Sequence, residues 1–406
     1  MAYRLFAATA LAWLSTAGLA QTPVPLNPTT PQGPGPLQRD EIVVIGATLA
    51  DLKADVAHCE AGGCTVREDV IATVRYAEAE FREGNYHDAR KALGRSVSRT
   101  KQQADNDPFA VAELHTARAT VAWHFGDQRE ALRATGAQTR ILDDHAPQSV
   151  NALMARLRLI QAQYQLDGPS VNIRELENLA QRAEAAGQPL IAMRADLGRA
   201  AMLYRVNRRK EAKMLLDGIL ASEAPNSGPM KLAAEILDMR LALRDGDMKA
   251  VNALIARLSE DQKRIGPTLV WSPELPVPRG GDFAPSDPLL NQMQARGADL
   301  LGLRWVDIGY QIGPDGRVED VEILRGSPRA GWAKPLVEVI GRRRYTPAAD
   351  IGDMVGRYRV ERYTLTGDFV VPGQSMVRRR ALRPRFERID LTVAPPQPAS
   401  APSVPS

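Results

Sequence analysis

A helix breaker returns about every forty residues between residues 48 and 264 of this 406-residue chain. Gly84-Asn85-Tyr86 is followed by Ala89, Gly126-Asp127 by Ala131, Asn207-Arg208-Arg209 by Ala212, and Gly246-Asp247 by Val251. Gly168 stands between them as a weaker member, and the steps are 42, 42, 39 and 39 residues. The intervening runs are rich in Ala, Leu, Arg and Glu and carry almost no strand signal. An amphipathic helix must bury its apolar stripe against a neighbour. A fixed period of this size therefore predicts helical hairpins stacked into an array.

In the first hairpin, Ala77, Phe81, Gly84, Tyr86, Ala89 and Leu93 resemble the tetratricopeptide (TPR) pattern. Small residues let paired helices approach, the glycine permits the turn, and the aromatic packs between hairpins. The period exceeds the family's usual spacing of about 34, so the array is TPR-like. The resemblance implies a groove that holds a helix or peptide of another protein. Arg205, Arg208, Arg209 and Lys210 form a basic cluster that reads as a solvated turn.

Charge and composition narrow the function. Lys and Arg number 52 against 48 acidic residues, too small an excess for nucleic-acid binding by bulk charge. With five His and two Cys, neither dense metal chemistry nor a disulfide scaffold is expected, and no cofactor is. Residues 1–20 place Arg4 before an apolar run from Leu5 to Leu19 and end Gly18-Leu19-Ala20. That is the pattern of a secretory signal peptide cut after Ala20, which implies a periplasmic protein. An uncleaved membrane anchor is the other reading, although the run is short of the roughly 20 residues that span a bilayer. Export favours a disulfide between Cys59 and Cys64 across Glu60-Ala61-Gly62-Gly63. Free thiols and a metal site are the alternatives.

Residues 21–47 form a Pro-rich linker that ends on a short β-branched segment, Asp40-Glu41-Ile42-Val43-Val44. Residues 265–296 are a second linker, rich in Pro and Gly, which Trp271 can anchor as a strap. Beyond it the periodicity becomes strand-like. Arg304 to Ile312 alternates, Gly313-Pro314-Asp315-Gly316 is a turn, and Arg317 to Leu324 alternates again. Trp332 to Arg342 reads as one amphipathic helix, and Gly356 to Leu365 as a third strand. Residues 394–406 read as a disordered tail.

This order, with Pro314, Asp315 and Gly316 in the turn and Arg343, Tyr345 and Pro347 at the helix exit, resembles the C-terminal domain of the TonB energy transducers. The expected fold is thus multidomain: an all-α TPR-like array at 48–264, then a small α+β TonB-like domain with a basic extension at 297–393. The family's domain adds an extended peptide of an outer-membrane receptor, the Ton box, to a strand edge. Here that edge maps to Arg357, Tyr358, Arg359, Val360, Glu361, Arg362 and Tyr363, where exposed charge also serves to protect an edge. Asp40 to Val44 resembles a Ton box itself, or is a first strand of the array. Arg378, Arg379, Arg380, Arg383, Arg385 and Arg388 read as a solvated basic face.

Two departures separate the chain from a working transducer. The family's Tyr-Pro-x-x-Ala element is missing before the first strand, and the apolar N-terminal run has Ser15 but no His. No nucleophile, metal-ligand or phosphate-loop motif is present, and His58, His87, His115, His124 and His145 stand singly. The sequence therefore reads as a non-enzymatic periplasmic interaction protein. Its expected partners are periplasmic or outer-membrane proteins, TonB-dependent receptors among them, with no nucleic acid. A membrane-anchored transducer is the alternative, and contact with the membrane belongs to it alone.

Overall fold

The computed structural model describes residues 47–167, 169–242, 248–258, 267–275, 303–328, 330–347, 357–370 and 379–392. The expected signal peptide, the Asp40–Val44 segment and the tail lie outside the described residues. Among the described residues, no helix is long and apolar enough to cross a membrane.

Among the described residues eleven helices form an array: α1 (Leu49–Glu60), α2 (Val66–Arg82), α3 (Tyr86–Thr100), α4 (Pro108–Phe125), α5 (Gln128–His145), α6 (Val150–Asp167), α7 (Pro169–Ala185), α8 (Pro189–Arg205), α9 (Arg209–Ala221), α10 (Gly228–Ala242) and α11 (Met248–Arg257). Their starts follow from capping. Thr48 and Thr65 build capping boxes with Asp51 and Glu68, while Asp107 and Asp127 cap α4 and α5.

The recurring breaker has one geometry. Gly84 N–H donates to Phe81 O and Asn85 N–H to Glu80 O; Gly126 and Asp127, Gly187 and Gln188, and Asn207 and Arg208 repeat the pair of bonds. In each pair the first residue has positive φ: 83°, 83°, 67° and 63°. This is the Schellman helix end, which needs a left-handed residue and so takes Gly or Asn. The breakers read from the sequence at 84, 126 and 207 are therefore helix C-termini; Gly187 is one more outside that spacing, and Gly168 and Gly246-Asp247 lie outside the described residues.

Between those ends the helices bury Leu153, Leu157, Ile160, Leu176, Leu197 and Leu203 in one large core and Val70, Phe81, Tyr86, Leu93 and Leu114 in another. The helix α1 closes the N-terminal side, with Val56 against Tyr76 and Ala92. Cys59 and Cys64 are joined as a disulfide that clips α1 to α2.

After the array come β1 (Leu269–Trp271), β2 (Arg304–Ile312), β3 (Val318–Gly326), the short helix α12 (Lys334–Gly341), β4 (Arg344–Tyr345), β5 (Tyr358–Val370) and β6 (Arg379–Asp390). The sheet is antiparallel, in the order β3-β2-β5-β6. One face packs Val306, Ile308, Tyr310, Ile312 and Tyr363 under Leu336 and Ile340 of α12. The expected hairpin–helix–strand is present, but the basic extension is a fourth strand rather than a solvated face. Its Arg385 and Arg388 side chains keep only 18% of their exposure. The side chains of Arg379, Arg380 and Arg383, and all of Arg378, lie outside the described residues.

Candidate interaction site

The sheet's second face lies on the array, and the contact is built on the repeating helix ends. Asp307 of β2 and Arg362 of β5 are buried and form a bidentate pair, Nε to Oδ1 at 2.6 Å and Nη2 to Oδ2 at 2.8 Å. The same guanidinium donates from Nη1 to Phe81 O and from Nη2 to Arg82 O at 2.6 Å, the last carbonyls of α2. Phe81 O also accepts from Gly84 N–H, and both carbonyls lie at the negative end of the helix dipole, so a cation placed there is favoured. Trp305 stacks at 4.0 Å from the centre of the Arg362 guanidinium, and Arg325 reaches both Asp307 (2.8 Å) and Glu83 (3.2 Å).

The next helix end is met by the neighbouring strand. Arg385 of β6 donates to Trp123 O of α4 at 3.1 Å and lies over the Trp123 ring. Between the two arginines, Thr364 Oγ1 meets Tyr86 OH at 2.9 Å and His124 Nδ1 at 2.7 Å. Burial, then the positive charges of Arg362 and Arg385, pull the His124 pKa down to about 3. His124 is thus neutral at physiological pH, and burial raises the Tyr86 hydroxyl so that it stays protonated.

The two turn glycines are also contact points. A Cβ on Gly84 would stand 2.2 Å from Trp305 Nε1, and one on Gly126 would stand 2.7 Å from Gly367 O and from Thr366 Oγ1. The far end of the array is tied in by the strap. Strand β1 pairs with β4, Thr346 N–H donates to Thr268 O, and Arg240 of α10 donates to Val270 O and Leu269 O, both at 2.8 Å. Val270 is buried with Leu232, Ile236, Val251 and Leu254, and Trp271 packs beside it.

Inside the sheet module a second buried network holds the helix exit. Arg343 is fully buried and donates to Glu361 Oε2 at 2.7 Å, to Tyr310 OH at 3.3 Å and to Tyr363 OH. Arg388 adds a bond to Glu361 Oε1 at 2.9 Å, and Tyr310 and Tyr345 share a hydrogen bond of 2.8 Å. Burial alone would raise the Glu361 carboxyl; Arg343 and Arg388 more than reverse this and hold it below the usual carboxylate range. The turn touches the same segment: Gly316 O accepts from Tyr345 N–H at 2.8 Å, and Asp315 Oδ1 accepts from Arg317 N–H. Gly316 has φ +77°, and a Cβ there would stand 2.1 Å from Tyr345 O. The turn therefore meets the helix exit through Gly316 against Tyr345 and through Arg317, which bridges to Arg344.

The expected pairing edge is corrected. Arg357 to Tyr363 is not an edge, because β5 lies between β2 and β6. On one side Arg357 O accepts from Ile312 N–H, and Tyr358, Arg359 and Val360 are paired with Gln311, Tyr310 and Gly309. On the other, Glu361, Arg362 and Tyr363 are paired with Asp390, Ile389 and Arg388, and Val360 O accepts from Leu391 N–H. The chain's own C-terminal strand fills the position where a partner strand would add. Among the described residues the outer strands of the sheet are β3 and β6; on β3, Ile323 and Leu324 are 38% and 43% exposed beside exposed Glu319, Asp320 and Glu322. The junction residues Arg362 and His124 carry no local sequence signal, since their partners lie about 280 and 240 residues away.

No family model matches this chain, and no curated protein matches it either.

Proposed function

We propose that the chain is a non-enzymatic interaction protein of the periplasm in which a TPR-like array and a TonB-like module act as one unit. The module accepts an extended segment of a periplasmic or outer-membrane protein, a TonB-dependent receptor being the class the sequence resemblance suggests. The observation that carries this reading is the open β3 edge, with Ile323 and Leu324 exposed on an outer strand of the sheet. Strand addition there draws affinity from main-chain hydrogen bonds and specificity from alternate side chains. The acidic residues along β3 favour a partner segment with basic side chains.

A photo-crosslinking residue at Glu322, compared with one at the exposed Glu338 on α12, tests this in intact cells. The reading expects a discrete adduct with one envelope protein from position 322 only. Equal adducts from both positions, or none from either, would defeat it. Fractionation of the same cells tests the periplasmic location.

A further inference from the structure

The array repeats one helix end, and its first two copies are occupied by the sheet. After α2 the turn presents the Phe81 and Arg82 carbonyls and Glu83, which Arg362 and Arg325 of the sheet meet, and after α4 it presents the Trp123 carbonyl, which Arg385 meets. The end of α8 keeps the same backbone geometry, with Asn207 in the left-handed position, but its charge is inverted. Arg205, Arg208, Arg209, Lys210 and Lys213 lie around it; Arg208 is paired with Glu211, and Lys213 with Asp217 and Asp238.

Every residue from Arg205 to Glu211 is exposed. Arg205 lies over Tyr164 with a 2.7 Å bond to its hydroxyl, and Arg209 lies over Tyr204 at 4.9 Å. Aromatic faces therefore hold these two guanidiniums outward. Among the described residues no carboxylate pairs with Arg205, Arg209 or Lys210. Val206 at the end of α8 is 36% exposed, and Met214, on the Lys210 face of α9, is 72% exposed. The three cations that hold no carboxylate among the described residues, with two solvent-facing apolar side chains, give this turn a complement that is acidic and apolar.

We infer that the α8–α9 turn is a docking point for an acidic extended segment of another protein, one that carries an apolar side chain for Val206 and Met214. It inverts the sign of the contact that the first two turns make with the sheet. Charge complementarity at an exposed rim makes the association salt-sensitive.

The test uses the full chain and a rhodamine-labelled synthetic dodecapeptide alternating Asp, Leu and Glu, read by fluorescence anisotropy. The variant R208E/R209E/K210E weakens binding by about tenfold or more, and the matched variant K53E/K91E/K101E, with the same charge change at exposed lysines elsewhere, by less than about twofold. Met214→Asp, a single exposed change, weakens binding in the same direction and guards against misfolding of the triple variant. Raising salt from about 50 to about 300 mM weakens the native complex. Unchanged binding in the turn variant, or equal loss in both triple variants, overturns the inference. So does capture of phosphatidylglycerol vesicles that is lost in the turn variant while the peptide fails to bind, which would assign the turn to lipid.

Discussion

Arg362 joins three things that sequence position keeps apart: a strand carboxylate, an indole face and the end of a distant helix. Removing one partner of a buried pair costs more than the pair contributes, because the other charge stays buried. Arg362→Met leaves Asp307 with Arg325 alone and takes the guanidinium donors from Phe81 O and Arg82 O. We expect a loss of about 3–5 kcal/mol in denaturant unfolding; a loss under about 1 kcal/mol would mean the junction relaxes onto water. His124 beside it gives a pH signature. Its folded pKa of about 3 lies below the ordinary 6.5, so the unfolded chain takes up the proton first. The contribution of neutral His124 is complete above pH 6.5 and falls as pH drops from there toward 3. The slope is at most about 1.4 kcal/mol per pH unit. His115, drawn down to about 4 by burial and by Arg118 and Arg140, acts in the same direction. The comparison is therefore between the native protein and His124→Asn, whose amide also bonds Thr364. The difference in their stabilities should shrink steadily from pH 7 to pH 4, and a constant difference would show that His124 does not titrate as the burial implies.

At the scale of elements, the turns explain what was legible. A left-handed residue is required at each Schellman end, so Gly84, Gly126 and Asn207 punctuate the sequence visibly, and the helical array follows. The fourth strand was not legible for the opposite reason. Arg385-Phe386-Glu387-Arg388-Ile389 alternates, but its apolar members are few and its charges look solvated. They are not solvated because Glu361 and a helix-end carbonyl wait for them in the folded chain. With β6 paired to it, the strand that reads as an edge in the sequence lies inside the sheet. The glycines separate turn conformation from docking. At Gly187 an added Cβ has open space, so Gly187→Ala carries the left-handed backbone cost alone, about 1–2 kcal/mol. Gly84→Ala and Gly126→Ala carry that cost plus a collision with Trp305 or with Gly367 O. Both should be destabilised more than Gly187→Ala in denaturant melts, and both should expose the sheet to limited proteolysis. If all three lose the same stability and proteolysis is unchanged, the sheet does not rest on these turns.

Across the whole molecule, the sheet module is held at two separated places on the array. One is the junction with α2, α3 and α4; the other is the strap that links β4 to α10 and α11. A unit held at one place can lift away while its own core stays folded, whereas two attachments make release require both to open. The disulfide at Cys59–Cys64 and the buried Arg343–Glu361 network stiffen the two parts themselves and not their connection. The array and the sheet should therefore exchange amide hydrogens as one cooperative block, with similar protection in α4, α8 and β5. Arg240→Met, which removes the strap's donors to Leu269 and Val270, should leave that coupling largely intact because the junction remains. Arg362→Met combined with Arg240→Met should split it, with β2 and β5 exchanging well before α8. Separate exchange already in the native protein would show two independent bodies, and then neither attachment fixes how the β3 edge is presented to a partner.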